Sequence, residues 1–336
     1  MAPKSLDFAP SPYRFFHSQF AKYQPIPKGT SVAGQTAIIT GANAGLGFHC
    51  AETLLDMGLS HLILGVRTVS KGEAAAEQLK QKHPRANIEV WQVDMLEYKS
   101  VQAFAKKCES LSRIDFVILN AGVIETKFKL SPHGHENTIQ VNYFSTVLLA
   151  ILLLPTLKQK APPGQSGRLT IINSGTSQIP TFPNAKNDPF LPYYDDEANF
   201  SLPSSYANAK ALGHFWILKL AERVSADHVV VNLVDPGMVK GTDLQRNGNI
   251  VLRVLASLVK SLVARNLEQG VSTYIDGAVV RGEESHGSYL MDWRIHPYNM
   301  AVYGPDGEAM KERIWKETLA ELSFADVEGI LNSLPK

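Results

Sequence analysis

The sequence predicts an α/β fold with a doubly wound parallel sheet, that is, one sheet with helices on both faces. Two observations carry this expectation. Short runs that are apolar throughout, such as Phe116–Leu119, alternate with helix-capable stretches six times along the chain, and strands without a polar face belong to sheets covered on both sides. The 336 residues, 44% hydrophobic and 19% charged, are enough for one large core but short for two ordinary domains.

Taken in order, Thr36–Thr40 reads as a strand that ends at Gly41, and a helix starts near Leu46. His61–Val66 is the second strand, followed by an Ala/Glu/Lys-rich surface helix over residues 71–82. Residues 88–93 alternate as a strand does and 101–108 as a helix does, and Phe116–Leu119 is the fourth strand. A long helix is expected over 134–154, closed by Pro155. Then come a strand at 169–172, a helix at 204–224 and the strand Val229–Val234. Residues 250–264 and 268–280 read as helical, 288–290 as a last edge strand, and 307–330 as an amphipathic helical tail. The stretch 178–202 breaks this rhythm with Pro180, Pro183, Pro189 and Pro192 and the acidic Asp195, Asp196 and Glu197; a loop that long inside a domain has a function or is disordered. The resulting partition is an N-terminal extension over 1–32, a domain over 33–300 with a substrate loop at 178–205, and a C-terminal helical extension over 301–336.

Charge and cysteine content exclude several classes. Lys and Arg number 33 against 32 Asp and Glu, a formal charge of +1, which leaves no electrostatic footprint for nucleic acid or an anionic membrane. Cys50 and Cys108 alone cannot make a disulfide framework or a four-ligand metal site. The first twenty residues hold Pro3, Asp7, Pro10 and Pro12 with no apolar core of the signal-peptide kind, and the greasiest stretch, 147–155, falls short of the roughly 20 residues that span a bilayer. A cytoplasmic protein without a membrane span is expected. His133, His135 and Glu136 do not have the H-E-x-x-H spacing of a metal hydrolase, so no metal is expected.

Four constellations carry chemistry. Gly41, Gly45 and Gly47, with Asn43, Ala44 and Leu46 between and beside them, lie between the first strand and its helix. There they permit a tight turn and let a pyrophosphate approach the helix N-terminus. The second strand ends at Arg67, with Lys71 one helical turn on and no acid before Glu73. A ribose 2′-hydroxyl wants a carboxylate at that place and a 2′-phosphate wants cations, so NADP(H) is favoured over NAD(H). Asp94 with Met95, and Asn120, Ala121 and Gly122, fall at C-terminal strand ends, where open α/β sheets bind ligands. Tyr206 and Lys210 are spaced i,i+4 on one helix face; an ammonium nearby favours phenolate, which prepares a tyrosine for proton transfer. Ser174 at the end of the fifth strand adds a hydroxyl for a substrate oxygen, with Thr176 and Ser177 as alternatives, and Asn142 adds a polar helix position for a water relay.

This order of motifs over residues 32–241 resembles the short-chain dehydrogenase/reductase family. The glycine turn is similar to the family's cofactor turn, Asn120-Ala121-Gly122 to its NAG motif, and Asp94 to its adenine-contacting acid. The resemblance implies a Rossmann fold and a catalytic set of Asn142, Ser174, Tyr206 and Lys210. It implies that Pro236, Gly237, Val239 and Thr242 grip the nicotinamide carboxamide. Arg67 with Lys71, and the Asp195-Asp196 pair, resemble retinol-dehydrogenase-like members, while the aromatic leader and residues 311–317 resemble fungal members of secondary metabolism. Family members pair through the helix holding Asn142 and the Tyr-Lys helix, so a homodimer is among the expected assemblies. Tyr206 follows Ser174 by far more residues than in compact members, which points to an enlarged lid. The activity implied is an NADP(H)-dependent ketoreductase or alcohol dehydrogenase acting on a small-molecule carbonyl or alcohol. Phe182, Phe190, Tyr193, Tyr194 and Phe200 in the loop suit either a bulky apolar or aromatic substrate or pinning of the loop to the core. An epimerase, dehydratase or cyclase of the same fold, or a non-catalytic NADPH-binding protein, stands as the alternative.

Overall fold

The structure, a computed structural model, describes residues 2–11, 13, 17–240 and 264–334. Its strands are β1 (Thr36–Thr40), β2 (His61–Val66), β3 (Asn87–Gln92), β4 (Phe116–Leu119), β5 (Gly167–Ile172), β6 (Val229–Val234), β7 (Tyr289–Met291) and β8 (Arg294–His296). All eight join one sheet in the order β3-β2-β1-β4-β5-β6-β7-β8. Pairing is parallel through β7 and antiparallel only between β7 and β8. From β1 the chain winds outward to β3 and then returns to place β4 on the other flank, so the C-terminal ends of β1 and β4 diverge at the switch point where such sheets bind ligands.

The helices are α1 (Gly45–Asp56), α2 (Val69–Lys82), α3 (Tyr98–Cys108), α4 (Asn137–Lys160), α5 (Leu202–Arg223), α6 (Leu267–Ile275), α7 (Gly307–Glu321) and α8 (Val327–Ser333). Alternation along the strands splits the core into two layers. Ile38, Ile63 and Val117 face a cluster that includes Phe104 of α3, Leu148 of α4 and Trp216 of α5. Ile39, Leu64 and Ile118 face another with Leu54 of α1, Leu79 of α2 and Tyr274 of α6. This double burial is the reason the strands read as unbroken apolar runs. Both cysteines are free and buried.

The structure departs from the expected elements in four places. Pro155 does not end α4, which continues to Lys160 with the proline inside it. A proline forfeits one backbone bond, but Leu153, Leu154 and Leu157 are fully buried around it and hold the helix through the defect. α4 as a whole, residues 137–160, is long and apolar enough to cross a membrane, yet 89% of its apolar window is buried inside the protein. β7 is not the sheet edge: Asp292 and Trp293, both at positive φ (56° and 58°), reverse the chain into β8, a hairpin turn with Trp293 where the usual Asp-Gly signal has glycine. The tail is two helices, α7 and α8, broken where Asp326 takes a left-handed φ of 50°. The expected helix at 250–264 lies almost wholly outside the described residues.

The tail also has a job in the fold. Met310, Ile314 and Trp315 of α7 and Leu331 of α8 belong to the core cluster, with α7 along α5 and α8 against α4. These are the two helices through which a homodimer was expected, so the chain itself takes up part of that face. α7 further grips the loop 178–202. Glu317 accepts the amides of Phe190 and Leu191 at 2.8 and 2.7 Å, and Arg313 donates to the carbonyls of Ala185 and Asn187. Three of the loop's five rings, Phe182, Phe190 and Tyr194, are buried, so these pin the loop to the core.

His135 completes the clamp. Its Nδ1 meets Asp195 of the loop at 2.8 Å and its Nε2 meets Glu321 of α7 at 3.1 Å. Burial works against the imidazolium, but the two carboxylates overcome it and raise the His135 pKa from 6.5 to about 9. A folded pKa above the unfolded one stabilises fully below about 6.5 and fades as pH rises through about 9. His135→Gln is therefore expected to lower the urea midpoint most below about pH 6.5 and hardly at all near about pH 10, measured as unfolding curves of both proteins across that range.

Candidate active site

A cleft of about 390 Å³ opens at the C-terminal ends of β1, β2, β3 and β4. The glycine turn forms one wall. Gly41 has φ +67° and Gly45 has φ +58°, a region that L side chains seldom adopt. A Cβ on Gly47 would lie 2.6 Å from the Gly41 carbonyl and 2.5 Å from Nδ2 of Asn120, whereas a Cβ on Gly45 would meet nothing within 4 Å. Gly45, the first residue of α1, thus leaves the helix N-terminus open toward the cleft, together with Asn43, Ala44 and Leu46. The backbone geometry fits an anionic pyrophosphate.

Asn120 closes the floor. Its Nδ2 donates to the carbonyls of Thr40 and Gly41 at 2.9 and 3.2 Å, and its Oδ1 accepts the Tyr274 hydroxyl at 2.8 Å. The Thr40 hydroxyl in turn accepts the amides of Asn120 and Ala121. Ala121 and Gly122 line the cleft next to it. At the far end Arg67 and Lys71 are exposed and border the cleft with Thr68, which suits a phosphate on a ribose. Asp94 and Met95 line the wall between; the Asp94 amide donates to Ser100 Oγ at 2.9 Å, and Asp94 Oδ1 accepts the Leu96 amide at 3.0 Å.

Tyr206 and Lys210 meet at the opposite end, beside Pro236. Tyr206 is half-buried, and the Lys210 ammonium lies 5.7 Å from its ring centroid. Lys210 is buried and donates to the Ile172 carbonyl at 2.7 Å; burial brings its pKa down from 10.5 to about 8. The phenol moves the other way from the expectation. Burial raises the Tyr206 pKa above its usual value, a hydrogen bond with Ser174 opposes this, and the charge of Asp235 adds to the rise. Ser174 caps a short turn, its Oγ accepting the Thr176 amide at 3.3 Å and hydroxyl at 2.9 Å. Of the alternative hydroxyls, Ser177 is fully buried and 3.1 Å from His214, so it faces the interior.

Asn142, expected as a polar helix position for a water relay, lies in α4. It sits in a π-turn, Gln140–Phe144, with Nδ2 donating to the carbonyls of Val123 and Thr138 at 2.8 and 2.9 Å and Oδ1 accepting the Val123 amide at 3.1 Å. Its amide holds the backbone after Gly122, and Val141 is the neighbour that reaches the cleft. Gly237 has φ +74° and backs onto Arg265, whose guanidinium a Cβ would meet at 2.8 Å. Val239 is buried beside Gly270. Thr242 lies outside the described residues. Among the described residues no group of three His, Cys, Asp or Glu is arranged to hold a metal.

The sequence reading missed Tyr274, Asn173, Arg265 and the cleft residues Val123, Ile124 and Glu125. Asn173 was the easiest to find, since it precedes Ser174. Tyr274 works across 154 positions through its hydroxyl, and nothing local marks it. Gly47→Ala is expected to destabilise the turn itself, by about 1–3 kcal/mol as an overpacked site. Gly45→Ala should cost only about 1–2 kcal/mol for its left-handed backbone but abolish nucleotide-induced thermal stabilisation. Melting curves with and without a nicotinamide dinucleotide separate the two.

Residues 35–185 match the family pattern described as short chain dehydrogenase. A protein of Annulohypoxylon moriforme named short chain dehydrogenase/reductase mfmJ is 47% identical over 99% of this chain and 97% of its own length. The short chain dehydrogenase virL of Hypocrea virens is 44% identical over 96% and 95%. Among solved structures, a 3-oxoacyl (acyl-carrier-protein) reductase of Agrobacterium tumefaciens with NADP bound superposes with a TM-score of 0.60 at 21% identity, over 78% of this chain and 93% of that one. A gluconate 5-dehydrogenase of Burkholderia cenocepacia gives a TM-score of 0.60 at 17% identity, over 78% and 94%. At such identities the solved structures establish the Rossmann fold, and the sequence relatives establish the family: this chain belongs to the short-chain dehydrogenase/reductase family of oxidoreductases.

Proposed function

We propose that the protein is an NADP(H)-dependent carbonyl reductase, with Tyr206 as the acid that protonates the substrate oxygen. The observation that carries the reading is that Tyr206, with Ser174 next to it, and Lys210 stand at one end of a cleft whose other end carries the exposed cations Arg67 and Lys71. The glycine turn fits the pyrophosphate, and no carboxylate stands among Arg67, Thr68 and Lys71 to prefer a free 2′-hydroxyl. When bound, NADPH supplies the hydride.

The residues of the chain then have separable tasks. Burial keeps the Tyr206 phenol protonated at neutral pH, the form a proton donor needs. The Ser174 hydroxyl, close to that phenol, holds the carbonyl oxygen within its reach. Lys210 carries a positive charge close to the ring and stabilises the phenolate left after the proton is given. Asn142 fixes the Gly122–Val123 backbone, and with it the shape of the cleft behind the reacting atoms. The substrate is a ketone or aldehyde. None of the five loop rings lines the cleft, and Phe200, packed edge-on against Phe128 at 5.9 Å, is one of two that remain part-exposed for a bulky apolar group.

Tyr206→Phe is expected to lower kcat for carbonyl reduction about 10²–10⁴-fold with NADPH affinity unchanged; full activity in the purified variant defeats the assignment. Arg67→Ala should weaken NADPH about tenfold or more through a lost phosphate contact and leave NADH affinity alone. Equal losses for both cofactors argue for a surface role of Arg67.

A further inference from the structure

The end of the cleft that holds Tyr206 is built on a buried charge that the mechanism above does not use. Asp235 follows β6 directly, is 1% exposed, and precedes the cleft residue Pro236. Its Oδ1 accepts the Gly237 amide at 3.0 Å. The Gly175 amide, next to Ser174, also favours its ionised form, while Oδ2 completes no hydrogen bond of normal geometry. One carboxylate therefore sits between the turn that carries Ser174 and the turn of Pro236 and Gly237.

Several charges surround it. Arg265 is buried, ion-paired with the buried Asp292, and donates to the carbonyls of Pro236 and Ser18 at 3.1 and 3.2 Å. One cation thus faces two carboxylates, Asp292 and Asp235. Among the described residues, the other titratable groups that feel Asp235 are neutral phenols, Tyr206 of α5, Tyr274 of α6 and Tyr289 of β7, and the Lys210 ammonium borders the same end of the cleft. Lys210 is cationic whether or not Asp235 is ionised, so the difference between the two states of Asp235 is one full negative charge. A charge in a poorly solvated place acts strongly on whatever binds next to it.

We propose that Asp235 sets the redox-state preference of the cofactor site: its buried negative charge, beside Pro236 at the reactive end of the cleft, favours the oxidised nicotinamide, which is cationic, over the reduced one, which is neutral. The inference rests on the reading of the cleft as an NADP(H) site. The two cofactor forms share every phosphate, so a residue acting only on packing or on phosphates shifts both affinities together. A charge acting on the ring shifts their ratio. Burial raises the Asp235 pKa from 3.8 to about 6, with Arg265 opposing the rise, so the unsubstituted protein itself loses this charge as pH falls through about 6. Lys210, at about 8, changes charge above that window.

The test is calorimetric titration of NADP⁺ and of NADPH into the wild-type protein and into Asp235→Asn, from about pH 5 to about pH 7. At the upper end, Asp235→Asn should raise Kd for NADP⁺ about fivefold or more and leave Kd for NADPH within about twofold. In the wild type the ratio of the two constants should rise by a similar factor on acidification, and in the variant it should stay flat. The ratio cancels titration of the cofactor's own 2′-phosphate. A parallel loss of both affinities in Asp235→Asn, or a wild-type ratio independent of pH, overturns the proposal. If the variant does not fold, the wild-type pH series decides alone. Failure of the wild type to bind either dinucleotide defeats the cofactor reading itself, an outcome distinct from an unchanged ratio.

Discussion

The side chain of Asn120 joins the two halves of this fold where they separate. β1 and β4 are neighbours, but the chain leaves them for opposite faces of the sheet, so their last carbonyls and the turn after β1 have no strand partner. Asn120 satisfies both the Thr40 and Gly41 carbonyls and accepts from Tyr274. Thr40 returns the favour through its hydroxyl to the Asn120 and Ala121 amides. Unpaired backbone groups at such a place are costly, and satisfying them with one amide leaves the turn narrow and the groove above it open. The tight packing of Gly41 and Gly47 against Asn120 follows from this closure. Gly45, on the groove side, remains unobstructed.

A second set of constraints lies at the other end of the groove. Ser174, Tyr206 and Pro236 come from three separate segments, and buried polar groups hold each of them. Ser205, next to Tyr206, donates to the fully buried Glu136 at 2.6 Å, and Glu136 also caps the start of α4 through the Ile139 amide. His214 accepts the Asn299 amide through Nδ1 at 2.9 Å, so its Nε2–H is the donor toward Ser177. Burial drives the pKa of this histidine down to about 3, and it is a neutral post behind the Ser174 turn. The polar interior thus places the reacting groups, while the apolar layers supply the driving force for folding.

Local patterns revealed most of the sheet and the cofactor wall, because those depend on short-range signals: apolar runs, glycines after a strand, cations at a strand end. Tyr206 and Lys210 were visible for the same reason, being one helical turn apart. What stayed hidden depends on tertiary burial. Pro155 reads as a helix stop until the leucines around it are known to be buried, and the Asp292-Trp293 reversal lacks the glycine that would complete its turn signal. The direction of the Tyr206 shift was misread because spacing reveals the neighbouring ammonium but not the extent of burial. Arg265 and Tyr274 act on residues far away in the chain, and no periodicity points to them.

The grip of α7 on the loop has a consequence for how the protein is made. Phe190 and the Glu317 carboxylate that holds its amide are 127 positions apart, so the loop leaves the ribosome long before its anchor exists. A nascent chain can complete the sheet while this flap still hangs loose, and the flap is fixed only once α7 has been synthesised. A premature stop between β8 and Arg313 would thus remove the groups that hold the loop and, with them, the part of the core that Met310, Ile314 and Trp315 supply.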